Sequence, residues 1–358
     1  MKKVRYAVVG TGWISQIAFM PGIPQTGNSE MTAIVSGNRR NAEKLAQFYG
    51  IEHIYGYEQY EDMLNSGQVD AVYIALPNSM HADYTIRAAK AGIHALVEKP
   101  LAVSVAECEA MIRAADAAGV LLMTAYRLHS EPCTIEAIDI IRRGEIGDPR
   151  LFSSVFSFPV KSGNHRLKAE HWGGPLQDIG VYCVNAVRHL FGDEPVEAIA
   201  AIASPPDDPR FIEVEETVSA TLRFPEGRLG HFVASFGGDD VDQYRVVGTE
   251  GQIEVSPGFR LDCAIKLAIT RGGTTVEKVF PQYDQFSGQA AYFSDCILKG
   301  HKPEPDGGDG LADVAIMRAI EESARTGRPQ SISLPRRDRH PVASMARQFP
   351  VVERRLML

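Results

Sequence analysis

A carboxylate and an ammonium stand side by side directly after a short apolar segment of the sequence. The segment is His94-Ala-Leu-Val97, and Glu98, Lys99 and Pro100 follow it. If the segment is a strand of a parallel sheet, these side chains lie at its carboxyl edge, where open α/β sheets bind ligands. Burial at that edge would lower the pKa of the lysine and suit it to acid/base chemistry. The alternative is a solvated lysine between a strand and a helix.

A second set of polar side chains repeats at helical spacing. Asp178, Tyr182 and Asn185 follow the loop Gly173-Gly-Pro175, and this spacing places them on one face of a helix. The ordinary pKa of a tyrosine is about 10, but a neighbouring ammonium lowers it, and Lys99 is the candidate. This pairing predicts a tyrosine that exchanges a proton with a substrate. The alternative is a polar stripe that is hydrogen-bonded within the protein.

A glycine-containing turn near the start of the chain predicts dinucleotide binding. The turn Gly10-Thr11-Gly12-Trp13-Ile14-Ser15 directly follows the apolar segment 4–9. Its glycines permit a tight turn and the close approach of a pyrophosphate, which the next helix would meet with its amino end. Ser15 stands where a third glycine is usual and is small enough for close packing. The alternative is an ordinary glycine turn of an α/β protein.

The residues after the second predicted strand favour NADP over NAD. Segment 31–35 ends in Ser36-Gly37-Asn38-Arg39-Arg40, and no acidic residue follows before Glu43. An NAD site usually has an acidic residue here for the ribose 2′-hydroxyl. A hydroxyl, an amide and two guanidiniums suit a 2′-phosphate instead. NAD stays the alternative, in which the arginines only begin the next helix.

Two successive patterns divide the chain. Strands and helices alternate up to residue 125. One of these strands is followed by Leu76, Pro77 and Asn78, and then by His81, which begins a helix. From residue 150 strands dominate, with hairpin turns at 224–227 and 271–273. The expected fold begins with an α/β N-terminal Rossmann domain with a doubly wound parallel sheet (1–125). An α+β C-terminal domain with a large, mostly antiparallel open sheet follows (126–330), and the chain ends in a tail (331–358).

Composition narrows the function classes. The chain has 358 residues and a formal net charge of −8, so we expect no nucleic-acid binding, and no apolar run is long enough to span a membrane. Its five cysteines are scattered without metal-ligand spacing, so neither a disulfide framework nor a metal site is expected. These features favour a cytoplasmic protein. The large sheet has a second face to bury, which predicts a homodimer or homotetramer.

Six short segments, taken in their order and spacing, resemble one family. They are Gly10-Thr-Gly12, Ser36-Gly-Asn38, Leu76-Pro-Asn-Ser-Met-His81, Glu98-Lys-Pro100, Tyr126-Arg-Leu-His129 and Gly173-Gly-Pro-Leu-Gln-Asp-Ile-Gly-Val-Tyr-Cys-Val-Asn185. Over residues 1–330 the chain resembles the glucose–fructose oxidoreductase/inositol dehydrogenase (Gfo/Idh/MocA) family, and within it the glucose–fructose oxidoreductase branch. Many members have His in place of Tyr182, but tyrosine is typical of that branch.

The resemblance implies an NADP-dependent oxidoreductase that transfers hydride between the nicotinamide and a CH–OH or carbonyl carbon of the substrate. The implied substrate is a sugar, a polyol or a related molecule, bound in a cleft between the domains. It implies Lys99, Tyr182 and Asp178 as catalytic residues, with Asp178 positioning the substrate hydroxyl. Glu98 and Pro100 would orient Lys99, and the Lys99–Pro100 bond would be cis. The implied substrate contacts are Lys99, Arg127, His129, Asp178 and Tyr182. The predicted cofactor contacts are Gly10, Thr11, Gly12, Trp13, Ile14, Ser36, Asn38, Arg39, Arg40, Leu76, Pro77, Asn78, His81, Glu98, Lys99 and Arg127.

The chain also departs from the best-known members of that branch, which carry an export signal and an amino-terminal arm that holds NADP. Here the first predicted strand begins almost at Met1, so we expect neither export nor a permanently held cofactor. Three alternatives stay open: an NAD(P)-dependent glycoside hydrolase, a dihydrodiol- or biliverdin-type reductase, and a non-catalytic NADP sensor. Intact Lys99, Asp178 and Tyr182 weigh against the sensor.

Overall fold

The computed structural model describes residues 2–358, which divide into two compact units. Unit 1 comprises residues 2–131, Tyr283–Leu311 and Met345–Leu358, and unit 2 comprises Pro132–Gln282 and Ala312–Ser344. Each unit therefore combines segments that are distant in the sequence, which differs from the linear division expected at residues 125 and 330. Among residues 2–358, no helix has the length and apolar character needed to cross a membrane.

Unit 1 is built on a parallel sheet of six strands. They lie in the order β3-β2-β1-β4-β5-β6, and each neighbouring pair is parallel. Residues 7–9 and 71–74 are fully buried, as expected for apolar strands that are covered on both faces. The order reverses between β1 and β4, which is where sheets of this kind bind ligands. The strands are β1 (Val4–Val9), β2 (Ser29–Val35), β3 (His53–Tyr55), β4 (Ala71–Ile74), β5 (His94–Val97) and β6 (Leu122–Thr124).

Helices connect these strands, and local sequence sets their ends. They are α1 (Met20–Gly22), α2 (Arg39–Tyr49), α3 (Tyr60–Leu64), α4 (His81–Lys90) and α5 (Val105–Ala118). Before α5, Ser104 Oγ accepts a hydrogen bond from Glu107 N at 3.2 Å, and Glu107 Oε2 accepts one from Val103 N at 3.1 Å. This reciprocal arrangement stabilises the first turn of the helix.

Unit 2 is built on a nine-stranded, mostly antiparallel sheet. Its order is β14-β13-β12-β11-β7-β10-β9-β8-β15, in which β7 and β10 run parallel and the other neighbours antiparallel. The predicted turns at 224–227 and 271–273 join β9 to β10 and β13 to β14, so the expected fold class is confirmed. The strands are β7 (Pro149–Ser157), β8 (Glu197–Ala203), β9 (Thr217–Arg223), β10 (Leu229–Ser235), β11 (Val241–Gly248), β12 (Gly251–Ser256), β13 (Ile265–Arg271), β14 (Thr274–Phe280) and β15 (Gln330–Ser331).

The two faces of the unit 2 sheet differ in their surroundings. The helices α6 (Pro132–Arg142) and α7 (Val181–Phe191) pack on one face, where Phe152 and Phe232 are buried. Side chains alternate along a strand, so Leu151 and Leu229 point to the opposite face, where they are 49% and 40% exposed. Strand pairing places these two leucines next to each other. The opposite face thus presents apolar side chains to solvent.

Residues 283–311 belong to unit 1 because the helix α8 (Gln285–Lys299) packs on the parallel sheet. The Ser294 hydroxyl on α8 lies 2.9 Å from Tyr6 OH and 2.8 Å from Ser29 Oγ. The chain then enters the helix α9 (Gly307–Thr326), most of which belongs to unit 2. Such long-range contacts leave no local pattern in the sequence, which is why the expected boundaries differ.

The end of the chain also packs on unit 1. Arg354 Nη2 donates to Phe48 O at 3.1 Å, and the guanidinium lies 4.6 Å from the centre of the Phe48 ring. Leu358 N donates to Gln16 Oε1 at 2.8 Å. Part of the segment 331–358, predicted as a tail, therefore packs on unit 1.

Candidate active site

The carboxyl group of Glu98 has a defined position at the carboxyl end of β5. Tyr73 OH donates to Glu98 Oε1 at 2.7 Å, and the backbone N of Lys99 donates to Oε2 at 3.3 Å. Part of Glu98 reaches solvent, yet protein surrounds its carboxyl group, and this burial raises the pKa of the group against the opposing charge of Lys99. Glu98 therefore contacts the backbone of Lys99, consistent with the orienting role that the resemblance implies.

The turn after Lys99 is bound to a buried histidine. The Lys99–Pro100 bond is cis, as the resemblance implies. His81 is fully buried, with Nδ1 2.9 Å from Pro100 O and Nε2 2.9 Å from Leu76 O, and burial lowers its pKa. The imidazole thus links two turns at the strand ends. These contacts give His81 a structural role, and its predicted contact with the cofactor stays a prediction.

The predicted glycine turn has the shape that a pyrophosphate needs. Gly10 has a φ of +91°, and a Cβ there would lie 2.5 Å from Ala75 O, so a side chain cannot be accommodated. A Cβ at Gly12 would meet nothing within 4 Å, so the space in front of this residue is open. Ser15 is buried, and its Oγ donates to Gly10 O at 2.7 Å. A helix follows the turn, as the sequence predicted, and it contains a π-helical turn at Ser15–Phe19 before α1.

The residues near the expected ribose 2′-position offer donors. Thr11 Oγ1 and Ser36 Oγ lie 2.8 Å apart at the ends of β1 and β2. Asn38 caps α2 by accepting a hydrogen bond from Asn41 N at 3.1 Å. Arg39 and Arg40 are exposed at the start of that helix. Hydroxyls and guanidiniums bind phosphate well, so this donor set fits NADP.

The other predicted cofactor residues lie along the same edge of the parallel sheet. Leu76 is buried, with its Cδ2 3.1 Å from the Cβ position of Gly10. Pro77 and Asn78 follow it and are half-buried. Trp13 extends from the glycine turn and is 53% exposed. The edge therefore combines an open glycine turn with apolar and amide side chains, which suits a dinucleotide.

Asp178 and Tyr182 are both half-buried on the helical segment that follows Pro175. A π-helical turn, Leu176–Gly180, precedes α7. The Tyr182 ring lies 5.9 Å from the Phe156 ring, edge to face, and 5.9 Å from the tilted Phe259 ring. The phenol ring of Tyr182 thus packs against two phenylalanines.

Asn185 is not part of a partly exposed stripe. It is buried, and its Nδ2 donates to Asp313 Oδ2 at 3.0 Å. Arg188, about one turn further on, forms ion pairs with Asp313 at 2.5 Å and with Glu194 at 2.6 Å. The alternative of internal hydrogen bonding thus holds for Asn185. Within unit 2, these contacts join α7 to α9.

Arg127 and His129 are buried in unit 1. Arg127 Nη1 donates to Gln285 Oε1, and His129 Nδ1 lies 2.6 Å from Glu304 Oε2. Both partners, Gln285 and Glu304, come from the segment 283–311, so the motif at residues 126–129 does not predict them. The expected contacts of Arg127 and His129 with cofactor and substrate stay predictions.

Three residues next to the candidate site are not indicated by the sequence patterns. Besides Tyr73, they are Gln16, whose Nε2 donates to Thr11 O at 2.7 Å, and Arg166, whose Nε lies 2.7 Å from Asp178 Oδ2. The Arg166 Nε–H direction does not meet hydrogen-bond geometry, so this contact is an ion pair. The basic residues between 161 and 168, just before the glycine pair, are the signal that could have indicated Arg166.

Comparisons with known proteins agree with this geometry. The model of the oxidoreductase family with an NAD-binding Rossmann fold matches residues 4–126, and the GFO/IDH/MocA C-terminal domain model matches residues 134–254. A D-xylose 1-dehydrogenase [NADP(+)] of Haloarcula marismortui is 33% identical over 331 residues, which cover 90% of this chain and 91% of that protein.

Solved structures give the same result. An aldose–aldose oxidoreductase from Caulobacter crescentus, complexed with glycerol, has a TM-score of 0.88 and 36% identity, covering 92% of this chain and 100% of that one. A 3-ketoreductase from Actinomadura kijaniata, in complex with NADP and TDP-benzene, has a TM-score of 0.82 and 28% identity, covering 90% and 98%. The expected family, fold and oxidoreductase class are confirmed. The chain belongs to the Gfo/Idh/MocA family of oxidoreductases.

Proposed function

We propose that this protein is an NADP-dependent dehydrogenase that oxidises a CH–OH carbon of a small sugar, with C1 of an aldose as the first candidate. The observation that carries the proposal is the partial exposure of Asp178 and Tyr182 on a helix whose next polar residue, Asn185, is buried against Asp313. The relatives support the substrate class, because one is named for D-xylose and NADP and another for aldoses.

Each proposed catalytic residue has a separate task. NADP, when bound, accepts hydride from the substrate carbon. Asp178 accepts a hydrogen bond from the substrate hydroxyl and orients it. Tyr182, once its phenol has lost its own proton, takes up the hydroxyl proton. The ammonium of Lys99 stabilises the negative charge that develops on the reacting oxygens. Lys99 belongs to unit 1 and the other two to unit 2, so their joint action is a part of the proposal that experiment has to test.

The cofactor part of the proposal uses the edge of the parallel sheet. The turn Gly10–Ser15 would hold the pyrophosphate, because Gly12 leaves open space in front of the backbone and backbone N–H groups bind phosphate. Thr11, Ser36 and Arg40 would bind the 2′-phosphate. Phosphate recognition at exposed arginines depends on salt, so we expect NADP to exchange with solution.

A substrate panel tests the proposed activity. The purified protein is mixed with NADP and, in turn, with D-xylose, other aldoses, inositols and an aryl glycoside, and NADPH fluorescence and released sugar are recorded. We expect NADPH to form with at least one aldose and the corresponding lactone to appear. Release of sugar from the glycoside without net NADPH would indicate a glycoside hydrolase. If the protein binds the cofactor but neither oxidises any substrate with NADP nor reduces any with NADPH, this result would favour the sensor.

We also propose a homodimer or homotetramer that forms through the solvent-facing side of the unit 2 sheet. Leu151 and Leu229 are neighbours there, and Ile199 on β8 is 47% exposed on the same side. Monomers rarely leave large apolar patches uncovered. Light scattering at micromolar concentration should show two or four copies, and Leu151→Glu should reduce that number. A monomeric wild-type protein would contradict this proposal.

A cytoplasmic location is the third proposal. The five cysteines are thiols, and those at positions 108, 133, 183 and 296 are buried, as is usual for proteins of reducing compartments. Fractionation of cells that express the natural gene should recover the protein with cytoplasmic markers. Recovery in an extracytoplasmic fraction would contradict the proposal.

A further inference from the structure

Arg166 is joined to Asp178 twice, through side chains and through the backbone. The Arg166 Nε lies 2.7 Å from Asp178 Oδ2, with side-chain exposures of 27% and 18%. Arg166 O also accepts a hydrogen bond from Gly174 N at 2.9 Å, and Gly174 O accepts one from Asp178 N at 3.2 Å. The two connections form a closed ring within unit 2, so the backbone itself brings the guanidinium to the carboxylate.

The glycine pair of the sequence motif makes this ring possible. A Cβ at Gly173 would lie 2.3 Å from Arg166 O and 2.9 Å from Lys168 O. Gly173 N donates to Lys168 O at 3.0 Å, and Gly174 has a φ of +122°, which side chains rarely tolerate. The segment 164–168 can therefore lie directly against the start of the helix that carries Asp178.

Contacts with α9 hold the same loop without the help of Arg166. Trp172 Nε1 and Gln177 Nε2 both donate to Glu321 Oε1, at 2.6 and 2.7 Å. The Arg318 guanidinium lies 4.3 Å from the Trp172 ring centre. Because these groups lie on both sides of Gly174, we expect the loop to keep its backbone when the Arg166 side chain is replaced.

We propose that Arg166 is a positioning residue, which holds the carboxylate of Asp178 in the orientation that receives the substrate hydroxyl. This inference rests on the proposed oxidation of a sugar. A guanidinium 2.7 Å from a carboxylate attracts it electrostatically and so restricts the side-chain rotamer of Asp178. Arg166 acts through Asp178 and takes no part in the proton or hydride transfer. If instead Arg166 bound an anionic group of the substrate, the effect of removing its side chain on activity would be the same whether or not Asp178 is present.

Five variants test this role with D-xylose, or the aldose that reacts best, and NADP. We expect Arg166→Gln to lower kcat about 10- to 100-fold, since a small misplacement of a positioning group costs this much, while the Kd of NADP is unchanged. Arg166→Lys should recover part of the loss, and guanidinium ion should partly restore Arg166→Ala. In an Asp178→Asn background, Arg166→Gln should cause no further loss of kcat.

Lys168→Gln is the matched control, because Lys168 lies in the same loop and pairs with Glu213 at 2.6 Å. It removes the same charge and should keep the wild-type kcat. Equal losses in Lys168→Gln and Arg166→Gln, or a further tenfold loss from Arg166→Gln in the Asp178→Asn protein, would overturn the inference.

A second measurement separates this inference from the proposed function. If the wild-type protein oxidises no aldose, the proposed function fails, but the pair can still be tested by thermal unfolding. The Tm of the double variant Arg166→Gln/Asp178→Asn should then match that of Asp178→Asn alone, because the partner is already lost. Additive changes in Tm would overturn the role of Arg166.

Discussion

The phenol of Tyr73 on β4 donates a 2.7 Å hydrogen bond to Glu98 at the end of β5, the residue before Lys99. Two adjacent strands therefore share the carboxylate that also contacts the Lys99 backbone at 3.3 Å. The Tyr73 ring is fully buried and stacks on Phe19, 3.7 Å between centres. The position of the proposed catalytic lysine thus depends on the core of unit 1.

Glu98→Gln should change how stability depends on pH. Burial raises the pKa of Glu98 in the folded protein above its unfolded value of about 4.3. Its stabilising contribution is therefore fully present below that value and is lost as pH rises through the folded pKa. We expect the Tm of Glu98→Gln relative to wild type to increase from pH 4.5 towards pH 7.5. A constant difference for Glu98→Gln would contradict the assignment.

Arg40→Ala should weaken NADP binding selectively. A charge-assisted hydrogen bond to the 2′-phosphate contributes about 1.5–3 kcal/mol, so the Kd of NADP should rise about tenfold or more, while the Kd of NAD should hardly change. Fluorescence titration with NADPH and NADH measures both. Lys44→Ala, an exposed cation on the same helix, is the control and should leave both constants unchanged. Equal weakening of NADP and NAD by Arg40→Ala would argue against the predicted 2′-phosphate site.

Arg188→Met should strongly destabilise unit 2. The guanidinium is 1% exposed and pairs with Asp313 and Glu194, which are 0% and 6% exposed. Removal of one partner leaves buried carboxylates without compensation, which costs about 3–5 kcal/mol. Urea unfolding measures the loss. Arg223→Met, which breaks the exposed pair with Glu197, should cost less than about 1 kcal/mol, and a similar cost for both variants would refute the argument.

Deletion of residues 345–358 should lower the Tm and weaken NADP binding together. The segment contacts Phe48 and Gln16, and Gln16 donates to the carbonyl of Thr11 in the glycine turn. Loss of this support should make the turn more mobile. Differential scanning fluorimetry with and without NADP measures both effects. An unchanged Tm together with an unchanged Kd would show that the segment does not support the turn.

Local patterns predict the fold well but only part of the site. Alternation of strands and helices and the glycine turn are short-range features, so β1, β2, β4, β5, β6 and the Gly10–Ser15 turn follow from the sequence. The three-residue strand β3 (His53–Tyr55) was not predicted. Asn185 differs because its partner, Asp313, is 128 residues away and no spacing rule indicates it. Arg166 lies in a loop without a motif, and the ring that brings it to Asp178 depends on backbone geometry at Gly173 and Gly174.

The proton-transfer role of Tyr182 is the central claim, and single-turnover formation of NADPH fluorescence with a reactive aldose tests it most directly. Tyr182→Phe keeps the ring contacts with Phe156 and Phe259 but removes the hydroxyl. We predict that it forms NADPH at least about 100-fold more slowly than wild type, as expected when general acid–base assistance is lost, with an unchanged Kd for NADP. A near-normal single-turnover rate in a variant that binds NADP would contradict the account.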